Sequence, residues 1–144
     1  MTDIDLFEHR LATTAAGVHL FMLAHEVRMD PGNRVWAGPS GNANHRTARD
    51  EMWELKVDLQ RLESGWAPDD DELAGTPRLE LWGITFRGGE LLWRLMGAPY
   101  EAARDLPGVA DGETMCTMQI LAIDDGFTWA RDRRGFYRLG EPRG

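Results

Sequence analysis

The arginines near the C-terminal end of the chain are the residues whose types and spacing come closest to a recognisable chemistry. Residues 127–144 have a net charge of +3, whereas the whole chain has −8. Arginines that lie beside aromatic side chains on a β-sheet can bind phosphate and stack on bases. The candidates in this stretch are Arg131, Arg133, Arg134 and Arg138.

Strand alternation predicts how these arginines and their aromatic neighbours are arranged. Phe127, Trp129 and Arg131 should share one face of a strand. Phe136 and Arg138 should share a face of the next strand. The surface could bind nucleic acid or an acidic protein. Alternatively, the aromatics belong to the core and the arginines pair with the chain's own carboxylates. The overall charge of −8 counts against nonspecific DNA binding.

An acidic run, Asp69, Asp70, Asp71 and Glu72, follows Pro68. Asp69 is predicted to cap a short helical turn that has Glu72 at its third position, since carboxylates suit a helix N-terminus. The run could also be an acidic contact surface. A calcium loop would need alternating ligands, a glycine midway and a closing glutamate, and the sequence lacks that pattern. We therefore expect no metal site here.

No motif points to catalysis or to a cofactor. Cys116 is the only cysteine, which excludes an internal disulfide and a zinc site with several cysteines. It falls in an apolar run, where a buried thiol is a poor nucleophile. Glu8, His19 and Glu26 share one stripe of a predicted helix, but their separation along the helix axis is too great for one metal ion. An enzyme that uses His19 or Cys116 is the alternative.

The elements that must position these residues begin with two helices. Residues 4–29 are apolar almost all round a helical wheel, which predicts a core helix or a dimer contact. A second helix should start near residues 44–47. Gly65 is suited to the position just after its end. The apolar stripe of this second helix consists of Met52, Leu55, Leu59 and Leu62.

From residue 76 onward the pattern predicts strands. Residues 78–86 and 90–96 should pair through a turn at Gly88–Gly89, with a break at Gly97–Pro99. Further strands are predicted at 114–123, 127–131 and 136–139. The predicted fold class is α+β: two N-terminal helices followed by a five-stranded antiparallel meander or small, partly open barrel.

The length of 144 residues predicts a single domain. Its parts would be a helical layer (1–65), an acidic connector (66–75), an antiparallel β unit (76–140) and a tail (141–144). Acidic residues occupy the place of a secretory n-region, and the apolar run at 11–24 is too short and too polar to span a bilayer. We expect a cytoplasmic protein without a membrane segment.

Six short motifs stand out in the second half of the chain: Leu59–Pro68, Leu79–Trp82, Gly97–Pro99, Asp111–Gly112, Trp129–Arg131 and Phe136–Gly140. In these motifs the chain resembles an uncharacterised bacterial family of small proteins, a domain of unknown function. The resemblance covers roughly residues 59–140. It implies a recurring structural unit and no activity. The family tends to have histidine where Ala98 stands, and Thr-Ser at Thr117-Met118.

These features favour a non-enzymatic interaction or regulatory module that acts by protein–protein binding. A homodimer through the 4–29 helix would fit the same interpretation. One alternative is a phage or mobile-element accessory protein, anti-CRISPR-like, which inhibits a host nucleic-acid enzyme through the acidic surface at 69–72. Another is nucleic-acid binding through the C-terminal arginine and aromatic hairpin.

Overall fold

The computed structural model describes residues 10–21, 24, 48–86, 93–101 and 110–143. These residues form two helices and one eight-stranded sheet. The helices are α1 (Ala48–Glu63) and α2 (Asp70–Leu73). The strands are β1 (Arg10–Thr13), β2 (Val18–Phe21), β3 (Arg78–Phe86), β4 (Trp93–Tyr100), β5 (Met115–Cys116), β6 (Ala122–Asp124), β7 (Trp129–Arg131) and β8 (Phe136–Leu139).

The sheet is mixed and open, with the strand order β1-β2-β6-β7-β8-β3-β4-β5. The α+β class is confirmed, but a five-stranded antiparallel meander or barrel was the wrong architecture. β8 lies beside β3 in parallel, with Arg78 opposite Arg138 and Leu79 opposite Leu139. This pairing joins residues some sixty positions apart, and no local pattern reports such a contact.

The N-terminal region differs most from the prediction. Residues 10–13 and 18–21 form an antiparallel hairpin, not part of a helix, and β2 pairs with β6. Gly17 stands in the hairpin turn at a φ of 79°, where glycine has no steric penalty. An apolar run without a clear period fits a buried strand as well as a buried helix, which explains the error. The rest of the 4–29 helix, and so most of the predicted dimer contact, lies outside the described residues apart from Ala24.

The second predicted helix is confirmed as α1. Its four stripe residues are all buried, and they pack on the face of the sheet that carries Val18, Leu20 and Trp129. Gly65 stands just after the end of this helix, as predicted, and has a φ of 96°. Trp66 N–H donates to the Arg61 carbonyl and Gly65 N–H to the Leu62 carbonyl, which are the two bonds of a Schellman cap.

The predicted β3–β4 pair is confirmed, although the turn at residues 88–89 lies outside the described part of the chain. The predicted break at Gly97–Pro99 was wrong, because β4 continues to Tyr100. β5 pairs with β4 only at Met96 and Gly97, so the far end of β4 is an edge, where proline is tolerated.

The predicted strand at 114–123 was also wrong, because it is two short strands that lie far apart in the sheet. β5 borders β4 at one edge, and β6 lies between β2 and β7. Thr117 marks the crossing: its N–H donates to the Leu95 carbonyl, and its hydroxyl accepts from Leu95 N–H. A continuous apolar pattern does not reveal that the chain leaves one strand and enters another.

The close approach of β4 to β3 gives a test of the fold. A Cβ at Gly97 would lie 2.9 Å from the Glu80 carbonyl oxygen and 2.9 Å from Leu79 Cγ. Because backbone cannot yield as a flexible side chain does, we expect Gly97→Ala to lower the free energy of unfolding by about 1–3 kcal/mol. Urea denaturation measures this change.

Gly83→Ala is the matched control, since nothing lies within 4 Å of its added Cβ. It should leave the free energy of unfolding unchanged or raise it by up to about 1 kcal/mol, because alanine lowers the conformational entropy of the unfolded chain. Equal losses of stability in the two variants would contradict the close approach of β3 to Gly97.

Candidate binding surface

The arginine-rich turn between β7 and β8 is anchored on α1. Arg131 is 2% exposed, and its Nε and Nη2 lie 3.1 and 2.8 Å from Oδ2 of Asp58. Arg133 Nε lies 3.2 Å from Oε1 of Glu51, which is also 2% exposed. Glu51 and Asp58 are seven residues apart and so share one helix face. Two of the four predicted binding arginines are therefore engaged within the fold.

Asp132 organises the same turn. Its carboxylate is fully buried, and its Oδ1 accepts from the backbone N–H groups of Arg134 and Gly135 at 2.8 and 3.2 Å. Its Oδ2 accepts from Met118 N–H and from the Tyr137 hydroxyl, both at 3.0 Å. Burial raises the pKa of Asp132. The hydrogen bonds from Arg134, Tyr137 and Met118 and the charge of Arg131 oppose that rise.

The other two predicted arginines differ from each other. Arg138 donates from Nε and Nη2 to the Thr76 carbonyl, and from Nη2 to Glu101 Oε2 at 2.6 Å. This bond from Arg138 lowers the pKa of Glu101. Arg134 is half-buried, and its side chain forms no ion pair with any residue that the structure describes. Of the four, Arg134 alone offers a guanidinium that is not paired within the described structure.

The predicted aromatic face is only partly formed. Trp129 lies on the α1 side of the sheet and contacts Phe136, with 5.5 Å between ring centroids. Phe127 lies on the opposite side, stacked on Trp82 at 5.7 Å. The prediction that Phe127 shares a face with Trp129 was therefore wrong. Phe127 precedes β7 at a φ of 55°, which breaks the alternation that the prediction assumed.

The acidic run caps α2 as predicted. Asp69 is the N-cap, and its Oδ1 accepts from Glu72 N–H at 2.9 Å. Glu72 also lies 3.7 Å from Arg61. Asp70 and Asp71 are exposed. These two carboxylates are the part of the run that a partner could contact.

His19 lies in a setting unlike the predicted helix stripe. It is buried on β2, with Nδ1 at 3.0 Å from Thr13 Oγ1 and Nε2 at 3.0 Å from Asp125 Oδ1. Glu8 and Glu26 lie outside the described residues. A hydroxyl, an imidazole and a carboxylate in series is the arrangement of an activated nucleophile. The same contacts also suit a buried histidine that ties the β1–β2 hairpin to the β6–β7 turn.

Cys116 is exposed, whereas the sequence predicted a buried thiol. The reason is that the strand divides: Cys116 lies on β5 at the sheet edge and is not part of the buried run around Ile120 and Leu121. His19 and Cys116 belong to strands near opposite ends of the strand order. Within the described ranges, no group of three or more His, Cys, Asp or Glu could hold a metal ion.

A groove beside the paired strands β3 and β4 is a surface that the sequence did not predict. Its volume is about 230 Å³. Leu81 is 62% exposed there and Met96 is 40% exposed. The groove is lined by Leu81, Met96, Gly97, Ala98, Tyr100, Gly112, Thr114 and Arg143.

Leu81 owes its exposure to a β-bulge. Glu80 pairs with Ala98 and Gly83 with Met96, so two residues of β3, Leu81 and Trp82, face one residue of β4. Leu81 has a φ of 51°. A non-glycine residue in this region costs about 1–2 kcal/mol. The pattern Leu79-Glu80-Leu81-Trp82 interrupts strict alternation and was the signal that could have predicted the bulge.

The bulge has a structural role, but that role does not require a leucine at position 81. It turns Trp82 into the core, where the indole Nε1–H donates to the Gly140 carbonyl at 3.0 Å. Glycine at position 81 would allow the same turn without steric penalty. A large apolar side chain that is both exposed and strained is therefore a candidate contact residue.

Comparison with known proteins adds no further constraint, since no family model, no curated protein and no solved structure matches this chain. The resemblance over residues 59–140 stays a prediction. No helix among the described residues is long and apolar enough to cross a membrane.

The Tyr137–Asp132 pair gives a test of the turn. Burial, reinforced by the charge of Asp132, raises the pKa of Tyr137 well above 10. As pH rises past about 10, the unfolded chain therefore releases this proton before the folded chain does. Stability is full below that pH and is lost above it, at up to about 1.4 kcal/mol per pH unit.

We expect Tyr137→Phe to flatten this alkaline slope in urea denaturation between pH 8.5 and 11. Tyr100→Phe, which leaves Tyr137 in place, should keep the wild-type slope. An unchanged slope in Tyr137→Phe would show that the hydroxyl is not buried against Asp132.

Proposed function

We propose that this chain is a non-enzymatic protein-binding module whose docking surface is the groove around Leu81 and Met96. The observation that carries the proposal is the exposed Leu81 side chain on a strained backbone. Proteins keep locally unfavourable residues where binding requires them, and stability is then lower than it could be. Methionine and arginine, which both line the groove as Met96 and Arg143, are enriched in protein–protein interfaces.

The internal pairing of Arg131 and Arg133 supports this surface over the arginine-rich turn. Nucleic-acid affinity depends on the number of phosphates that free cations can neutralise. Arg138 is also bonded, to Thr76 and Glu101. Arg134 is then the one guanidinium of the four without an ion pair to a residue that the structure describes. We therefore favour protein binding over nucleic-acid binding as the function.

The acidic alternative keeps specific support. Asp70 and Asp71 are exposed, and the described structure gives them no ion pair. They could enter a basic groove of a host nucleic-acid enzyme, as an inhibitor would. The double change Asp70→Lys with Asp71→Lys tests this surface in the same experiment as the groove.

Leu81→Asn separates binding from folding. Asparagine tolerates a positive φ, so we expect the free energy of unfolding to stay the same or rise by up to about 1 kcal/mol. Ile84→Asn, on the same strand and 37% exposed, is the matched control and should lower stability because asparagine is a poor strand residue. Urea denaturation of both variants measures the difference.

Affinity capture with quantitative mass spectrometry measures which proteins bind the wild type and each variant. Partners recovered by the wild type should be lost with Leu81→Asn and kept with the Asp70→Lys/Asp71→Lys bait. Trp53→Ser, at an apolar side chain 70% exposed on α1, should also keep them. Loss with the lysine bait alone would favour the acidic surface. Identical partners for the wild type and Leu81→Asn would reject the groove.

A further inference from the structure

We propose that the groove binds an extended peptide segment in which an apolar side chain lies next to a single carboxylate. This inference rests on the proposed function and names the chemistry of its partner. The apolar side chain would lie between Leu81 and Met96, and the carboxylate would pair with Arg143.

The size of the groove favours a peptide side chain over a small-molecule ligand. Its volume of about 230 Å³ is below the range of about 300–1,000 Å³ for pockets that enclose small molecules. The exposed walls, Leu81 and Met96, are both apolar. Methionine is flexible and adapts to differently shaped partners. The space therefore fits one apolar side chain that enters from a longer segment.

The positive charge of Arg143 favours a carboxylate next to the apolar side chain of the peptide. Among the described residues that line the groove, Arg143 is the only charged one, in a chain whose net charge is −8. The Arg143 backbone N–H is fixed by the Trp82 carbonyl at 2.8 Å. Its guanidinium forms no ion pair with any residue in the described ranges. A guanidinium pairs with a carboxylate through two parallel hydrogen bonds, which fixes orientation as well as affinity.

The surroundings of Arg143 limit the partner to one carboxylate. Arg78, the first residue of β3, is shared between Glu80 and Glu101 at 3.0 and 2.9 Å. Glu113, next in sequence to the lining residues Gly112 and Thr114, is exposed. A run of acidic residues would meet these like charges, and such repulsion discriminates against wrong partners. A polyanion such as nucleic acid would be rejected on the same ground.

A phage-displayed library of random heptapeptides, panned on the immobilised full chain, tests the inference. Peptides enriched on the wild type should carry Leu, Ile, Met or Phe within two positions of one Asp or Glu. Their affinity should fall about 10-fold or more for Arg143→Glu, because a charge-assisted hydrogen bond is lost and a repulsion is added. Leu81→Asn should abolish binding. Arg94→Glu, with the same charge change on β4, should bind as the wild type does.

The contrary outcomes separate the inference from the proposed function. Enriched peptides that need Leu81 but lack an acid, or that bind Arg143→Glu equally well, would overturn the carboxylate and leave the binding module standing. A wild-type dimer in sedimentation that Leu81→Asn dissociates would mean that a second copy of the chain fills the groove, and would overturn the peptide. Absence of any Leu81-dependent binding, to peptides or to captured proteins, would reject both proposals.

Discussion

The buried carboxylate of Asp132 is the interaction on which the C-terminal half of the structure depends. Two backbone N–H groups of its own turn, the N–H of Met118 and the hydroxyl of Tyr137 all donate to it. A buried charge is tolerated only when its hydrogen-bonding capacity is filled, and here four donors fill it. The β7–β8 turn, the crossing segment at Met118 and strand β8 are thereby held in one arrangement.

The ion pairs of the neighbouring arginines extend this constraint to the helical layer. Arg131 reaches Asp58 and Arg133 reaches Glu51, both on α1. Breaking a buried pair leaves an uncompensated charge, at a cost of about 3–5 kcal/mol, so such pairs fix where the helix lies on the sheet. The basic stretch thus positions α1 over the core cluster around Leu55, Leu59 and Trp129. This role follows from burial and geometry and does not require an external ligand.

The groove at the β3 bulge differs from the Asp132 turn because its main side chain is exposed and its backbone is strained. At the β3 bulge, an exposed leucine occupies a backbone conformation in which glycine or asparagine would be less costly. Both carboxylate oxygens of Asp132 accept hydrogen bonds within the fold, whereas the side chain of Leu81 is largely exposed. Because of that contrast, we propose the binding surface at the β3 bulge and not at the arginine-rich turn.

The sequence alone determined the elements whose signals are local. The α1 stripe is buried because its 3-4-3 spacing puts four apolar side chains on one helix face. The cap at Asp69, the stop at Gly65 and the β3–β4 and β7–β8 pairs follow from the preferences of single residues and short turns. For Arg131, the sequence left two interpretations open, pairing within the chain and an external ligand.

Only the tertiary structure decided which strands pair and which charges meet. The β2–β6 pairing, the split of residues 114–123 and the parallel β3–β8 contact all depend on segments distant in the chain, and apolar runs do not specify their partners. The groove arises in the same way, since Leu81, Met96 and Arg143 come from three separate segments. Periodicity reports what each residue prefers next to its neighbours. Which surface remains exposed, and with what charge, depends on contacts that form only when the whole chain packs.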